Sequence, residues 1–295
     1  MSLTISVSAF SQMPGFSQNM FTQLLYNPAS AAVNKESSLD LGMRAEIGQF
    51  ANSSLQYLGN AIVYLPCINS GIGFTNSDFS LGIEGVQLYK LSYSYQLKLG
   101  SGTLAAGASI GYSKMSFNGF LPFPGGGVTN VTNFATTYQT GFGLYYLSSG
   151  GAYIGISSDK LANGALTSTS QDLKYQTERE YYISAGIPIH TKVGCDIIPS
   201  ALLESDGSNT QGQMDLRMQS ETVWVGCGYR FYPNESMNPA TLILLVGVMH
   251  EFKNGSGFRI GYSYDFSDYS PTAMGAPSEL HLQYYIGHQP KETTN

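Results

Sequence analysis

Four histidines, three cysteines and a scatter of carboxylates are the residues through which this 295-residue chain could do chemistry. His190, His250, His281 and His288 stand apart, and none falls in the His-x-x-x-His or His-Glu-x-x-His spacing that zinc takes from one helix face. Cys67, Cys195 and Cys227 are odd in number and far apart, so they spell neither a metal site nor a disulfide framework. No serine-nucleophile elbow is expected, and no cysteine has an evident histidine partner. The run from Gly102 to Gly111 reads as a strand of small residues, not the strand-turn-helix of a phosphate loop. Glu279 and His281 would share one strand face, where a serine or carboxylate could lie opposite. A histidine paired to a neighbouring strand is the commoner meaning of that pattern. No metal or cofactor is expected.

The elements that must position these residues are strands. Leu39, Leu41, Met43, Ala45 and Ile47 alternate with Asp40, Gly42, Arg44, Glu46 and Gly48, so one strand face is greasy and the other carries both signs of charge. Tyr93, Tyr95 and Leu97 alternate with Ser94, Gln96 and Lys98; Met214, Leu216 and Met218 with Asp215, Arg217 and Gln219. Val225, Cys227 and Tyr229 lead to Arg230, Ile260 and Tyr262 alternate with Arg259 and Gly261 and lead to Asp265, and Leu280 and Leu282 alternate with Glu279 and His281. A soluble sheet can show this pattern too. Composition separates the two cases: charged residues are 12% of the chain, about half the share usual in soluble domains, beside 21 Tyr, 15 Phe and 34 Gly. Few charges, many tyrosines and much glycine suit a wall with lipid outside and aromatic belts at its ends. The net charge of −6 argues against a nucleic-acid partner.

No stretch reaches the roughly 18 apolar residues that a spanning helix requires. A membrane protein of this sequence must therefore be a closed barrel, because backbone groups facing lipid need partners. Turn signals divide the chain into about fourteen strands, over 39–49, 54–64, 69–77, 88–99, 103–116, 139–147, 151–158, 180–188, 194–204, 211–219, 222–231, 242–251, 257–265 and 278–286. The segments 117–138 and 159–179 read as long loops. Residues 242–249 are apolar on both sides, as expected where the wall meets an internal plug. Residues 1–11 look like the remnant of a secretory signal peptide, with mature protein from near Gln12. Residues 12–38 lack alternation; Phe16, Met20, Phe21, Leu24 and Leu25 lie at helical spacing until Asn27-Pro28 stops the helix. This segment is expected to plug the barrel or its periplasmic rim, the barrel to occupy 39–288, and 289–295 to form a polar tail.

The residues Gln12-x-Pro14-x-Phe16-Ser17-Gln18-x-Met20-Phe21, followed by Asn27-Pro28-Ala29, resemble the mature N-terminus of the PorP/SprF family of type IX secretion system outer-membrane proteins. Arg259 to Phe266 and the closing strand Glu279 to Tyr285 are similar as well, as are Tyr153–Ile156, Tyr181–Gly186 and Val223–Arg230. The family's His before the last strand is missing from Tyr269 to Glu279. The resemblance implies a FadL-like barrel in the outer membrane of a Gram-negative cell, surrounded by its lipids. It also implies partners: the translocon, periplasmic ring components, and secreted proteins with a C-terminal sorting domain, such as adhesins or gliding components. The N-terminal motif would be the plug or partner contact.

The expected lumen charges are Asp40, Arg44, Glu46, Lys98, Lys114, Asp215, Arg217, Arg230, Arg259, Asp265 and Glu279. Mixed signs favour cross-strand pairing and a plugged interior over a sign-selective pore. Turning one of the cationic side chains to mid-bilayer lipid would cost roughly 2–4 kcal/mol, which pins the strand register. Three functions compete: a structural and interaction component of secretion, a FadL-like channel for hydrophobic or small solutes, and an outer-membrane hydrolase.

Overall fold

The computed structural model describes residues 15–46, 54–82, 84–122, 128–161, 167–168, 178–233, 240–267 and 276–287. Gln12 and Pro14 of the N-terminal motif, the signal-peptide remnant and the polar tail lie outside them. Fourteen antiparallel strands form a closed barrel. They are β1 (Glu36–Glu46), β2 (Ser54–Leu65), β3 (Ser70–Leu81), β4 (Glu84–Leu99), β5 (Gly102–Pro122), β6 (Val128–Leu147), β7 (Tyr153–Asp159), β8 (Glu180–Gly186), β9 (Asp196–Ser205), β10 (Thr210–Gln219), β11 (Val223–Phe231), β12 (Thr241–Glu251), β13 (Ser256–Ser267) and β14 (Ser278–Gly287). Each pairs with its chain neighbour, and β14 closes on β1 with Arg44 opposite Glu279 and Gly42 opposite His281. Closure leaves no sheet edge to face lipid. Two-residue strands at Thr167–Ser168 and Ile189–His190 add to β6 and β9.

Alternation sorts the two faces as the pleat requires. On β1 Leu41 is 50% exposed while Asp40 is 2% exposed. The same contrast runs round the wall, with Leu91, Tyr93, Met214, Val225, Leu244 and Leu282 outside and Lys90, Ser92, Asp215, Trp224, Ile243 and His281 inside. A long, contiguous apolar exterior on a single chain marks a lipid-facing surface.

The expected loop over 117–138 is instead the far part of a hairpin, with β5 and β6 paired rung for rung up to Pro122 opposite Val128. Its β-branched run, Val128-Thr-Asn-Val-Thr, supports strand pairing where Gly and Pro at the tip suggested a loop. β4 likewise starts at Glu84 rather than at 88. The joins at 66–69, 100–101, 148–152, 220–222 and 252–255 cluster at the end where β1 begins and β14 finishes, called here the near end. Short joins also occur at the far end, at 82–83 and 206–209, so loop length alone does not label the two ends.

Candidate functional site

The lumen is the place where the polar residues converge, and the chain's own N-terminal segment occupies it. Residues from Phe16 to Val33 are almost all buried inside the wall. Helical spacing of the apolar residues predicts a longer helix than exists: one α-turn, Gln23–Tyr26, is followed by a 3-10 turn, Pro28–Ser30. Upstream of the α-turn the N–H groups of Phe21 and Thr22 close single turns onto the carbonyls of Gln18 and Asn19, and those of Ser17 and Gln18 donate to the Glu279 carboxylate at 2.7 and 2.9 Å. The segment therefore enters from a charged anchor near the far ends of β1, β13 and β14 and reaches the near end at Glu36.

That anchor is a neutral cluster of two guanidiniums and two carboxylates. Arg44 pairs with Asp265 at 2.7 Å and Glu279 at 3.4 Å, and Arg230 pairs with Asp265 at 3.3 Å. The Ser17 hydroxyl stands at its centre, donating to Asp265 while accepting from Arg44 at 2.7 Å and Arg230 at 3.0 Å. Gln213 donates to the Ser17 carbonyl, and Asn19 donates to Asp215. Buried charges persist only when paired and hydrogen-bonded, and here the plug supplies part of that shell. Phe16 and Phe21 flank the His281 ring, edge-on and stacked, and Phe21 also packs with Trp224, Ile243 and Leu245. The inward isoleucine and leucine explain why 242–249 is apolar on both sides.

The other half of the segment rests on a bay of small residues. Asn27 caps the 3-10 turn by accepting from the Ala29 N–H, while its amide donates to the carbonyls of Leu144 and Ile156. A Cβ on Gly107 would lie 2.4 Å from the Ala29 nitrogen, one on Gly143 2.0 Å from the Asn27 side chain, and one on Gly71 2.1 Å from the Ala31 carbonyl oxygen. Only glycine allows so close an approach between wall and plug. Ser94 and Gln96 donate to the carbonyls of Ala31 and Ala32, and Lys90 donates to the carbonyl of Leu25.

The wall charges divide by position. Asp40, Arg44, Asp215, Arg230, Asp265 and Glu279 are buried in the lumen; Glu46, Lys114, Arg217 and Arg259 are half-buried. Lys98 is exposed at the near rim, because β4 ends one residue later in the turn at Gly100. Sequence reasoning missed a second ionic group, in which Lys90 pairs with Asp159 at 2.9 Å and Lys160 with Glu180. Lys90 has the parity of Ser92 and Ser94, so extending the alternation two residues upstream of Ser92 would have found it.

Among the described residues the catalytic alternatives gain no geometry. Gly107-Ala-Ser-Ile-Gly111 does spell a Gly-x-Ser-x-Gly pattern, contrary to the expectation of none, yet it lies within β5 rather than on a strand-to-helix turn. The His281 Nε2 lies 3.2 Å from Glu279 without hydrogen-bond alignment. No group of three or more potential metal ligands gathers among the described residues.

The chain matches the family model described as type IX secretion system membrane protein PorP/SprF over residues 8–284. No curated protein matches it. Among solved structures it is similar to the CymD monoaromatic hydrocarbon channel, at 11% identity over 92% of this chain and 93% of that one, with a TM-score of 0.58. A Pseudomonas aeruginosa FadL homologue aligns at 10% identity over 89% and 93% of the two chains, TM-score 0.57. The Ralstonia pickettii toluene transporter TbuX aligns at 9% identity over 91% and 94%, TM-score 0.57. At these identities the likeness is one of fold.

Proposed function

The chain belongs to the PorP/SprF family of type IX secretion system membrane proteins, and from that premise we propose that it supports export or surface anchoring of proteins carrying a C-terminal sorting domain. In this reading it sits in the outer membrane of a Gram-negative cell, with the near end in the periplasm. It acts by protein–protein contact with the translocon, periplasmic ring components and the exported protein, and performs no catalysis. The observation that carries the proposal is the filled lumen: the segment from Phe16 to Val33 takes the space through which a solute would pass, hydrogen-bonded to both sides of the wall. What remains available for partners is the near-end cavity, the rim, the loops and the wall itself. Deleting the gene should remove sorting-domain proteins from the cell surface, measured by surface proteomics, while uptake of small solutes stays normal.

A FadL-like channel for hydrophobic or small solutes is the second reading. It is favoured by the shared fold of barrels named as hydrocarbon channels and by a cavity of about 360 Å³ between the plug and the near rim. Planar-bilayer recordings decide between them: steady single-channel steps from the intact chain would favour transport, and silent insertion would favour secretion.

A further inference from the structure

Four arginines line the described lumen, and three have carboxylates. Arg44 has Asp265 and Glu279, Arg230 has Asp265, and Arg259 has Glu36 at 3.7 Å. Arg217 makes no ion pair within 4 Å among the described residues and has only the longer-range attraction of Asp215, two residues away on the same strand face. Its Nε is buried without a hydrogen-bond partner, and its guanidinium lies 5.9 Å from the centroid of the Trp224 ring. A guanidinium N–H removed from water and given no acceptor carries a desolvation penalty that an incoming anion would relieve.

Arg217 is not walled in. It lines the cavity of about 360 Å³ that opens between the plug and the near end, a volume within the range of ordinary ligand sites. The same cavity is bounded by Phe21, Tyr153, Trp224 and Met249, so apolar surface lies beside the charge. It is also bounded by Asp40, whose Oδ1 has no hydrogen-bond partner. One cavity thus holds a guanidinium with one unpartnered N–H, a carboxylate with one unpartnered oxygen and an aromatic wall. A ligand that satisfies all three carries a carboxylate, an N–H group and an apolar side chain.

We propose that this near-end cavity binds the C-terminus of a peptide chain that ends in an apolar residue. The terminal carboxylate is taken by Arg217, a backbone N–H by Asp40, and the last side chain by the Phe21–Trp224 wall. The near end carries both barrel termini and several short turns, so an extended peptide tail reaches the cavity from that side. The site needs no particular identity for the protein that brings the tail, and it stands whether or not the secretion reading does.

The chain has a single tryptophan, and it is Trp224 in the cavity wall. Its fluorescence in the detergent-solubilised full-length protein therefore reports occupancy when the ligand carries a heavy-atom quencher. The probe is acetyl-Gly-Gly-(4-bromophenylalanine) as the free acid, compared with the same peptide amidated and with 12-bromododecanoate. The expected result is saturable quenching by the acid, at least tenfold weaker binding of the amide, and a similar loss in Arg217→Met with partial rescue in Arg217→Lys. Equal quenching by acid and amide in the wild-type protein would overturn the proposal, and needs no variant to fold. So would absence of saturation at millimolar acid, or saturable quenching by the bromo-fatty acid alone, which would make the cavity a site for lipid-like anions.

Discussion

The two halves of the plug are held by opposite physics. Residues 16–19 are fixed by charge, through backbone N–H groups on Glu279 and a serine hydroxyl between Arg44, Arg230 and Asp265. Residues 24–32 are fixed by shape, seated on Gly71, Gly107 and Gly143 with their carbonyls capped by Lys90, Ser94 and Gln96. The charged anchor tolerates changes of volume better than changes of charge, since each ion's burial is offset only by its partners. The glycine bay should behave in the reverse manner, because no polar exchange relieves a Cβ driven into backbone.

The sharpest break of that contrast is Arg44→Leu, which leaves Asp265 and Glu279 buried with one cation fewer. Removing one partner of a buried pair costs about 3–5 kcal/mol, so barrel assembly should slow markedly, read as a reduced fraction of heat-modifiable folded species on gels. Normal assembly at wild-type rate would show that the anchor is dispensable. Gly107→Val attacks the other half by volume alone. Overpacking of this kind costs about 1–3 kcal/mol and should displace Ala29 from its seat while the barrel still forms. The readout is new protease cleavage within residues 24–32 of folded protein; cleavage unchanged from wild type would mean that the bay is slack.

Asn27→Ala removes the cap of the 3-10 turn and the two hydrogen bonds to the carbonyls of Leu144 and Ile156. Loss of a cap costs about 1 kcal/mol, so a small drop in the urea midpoint of the reconstituted barrel is expected, without the protease sensitivity of Gly107→Val. The smallest effect belongs to Lys98→Ala. An exposed rim lysine carries no desolvated pair, and its removal should leave the midpoint within error. A shift as large as that of Asn27→Ala would place Lys98 in the lumen network after all.

The wall was legible in the sequence because a period of two is a local property. Leu39 to Glu46 announces which residue faces lipid without reference to any other strand. Its failures are local too: 128–138 reads as loop because Pro124, Gly125, Gly126 and Gly127 just before it outweigh the β-branched residues that follow. Of the lumen, the sequence offered part of the charged set, without Lys90, Asp159 and Glu180, and nothing of its partition. Nothing in the spacing of Arg44, Arg217, Arg230 and Arg259 tells which three form close ion pairs, since the partners lie up to 235 residues away along the chain.

By itself the sequence determined an apolar outer face, a polar inner face and an N-terminal segment that belongs to neither. Only the tertiary structure decided what that segment rests on, because barrel closure brings β1 beside β14 and sets glycines of β3, β5 and β6 against a single 3-10 turn. Alternation is encoded residue by residue and survives without contacts. The plug's seat is a sum of close approaches between distant strands, and it exists only once the sheet has closed.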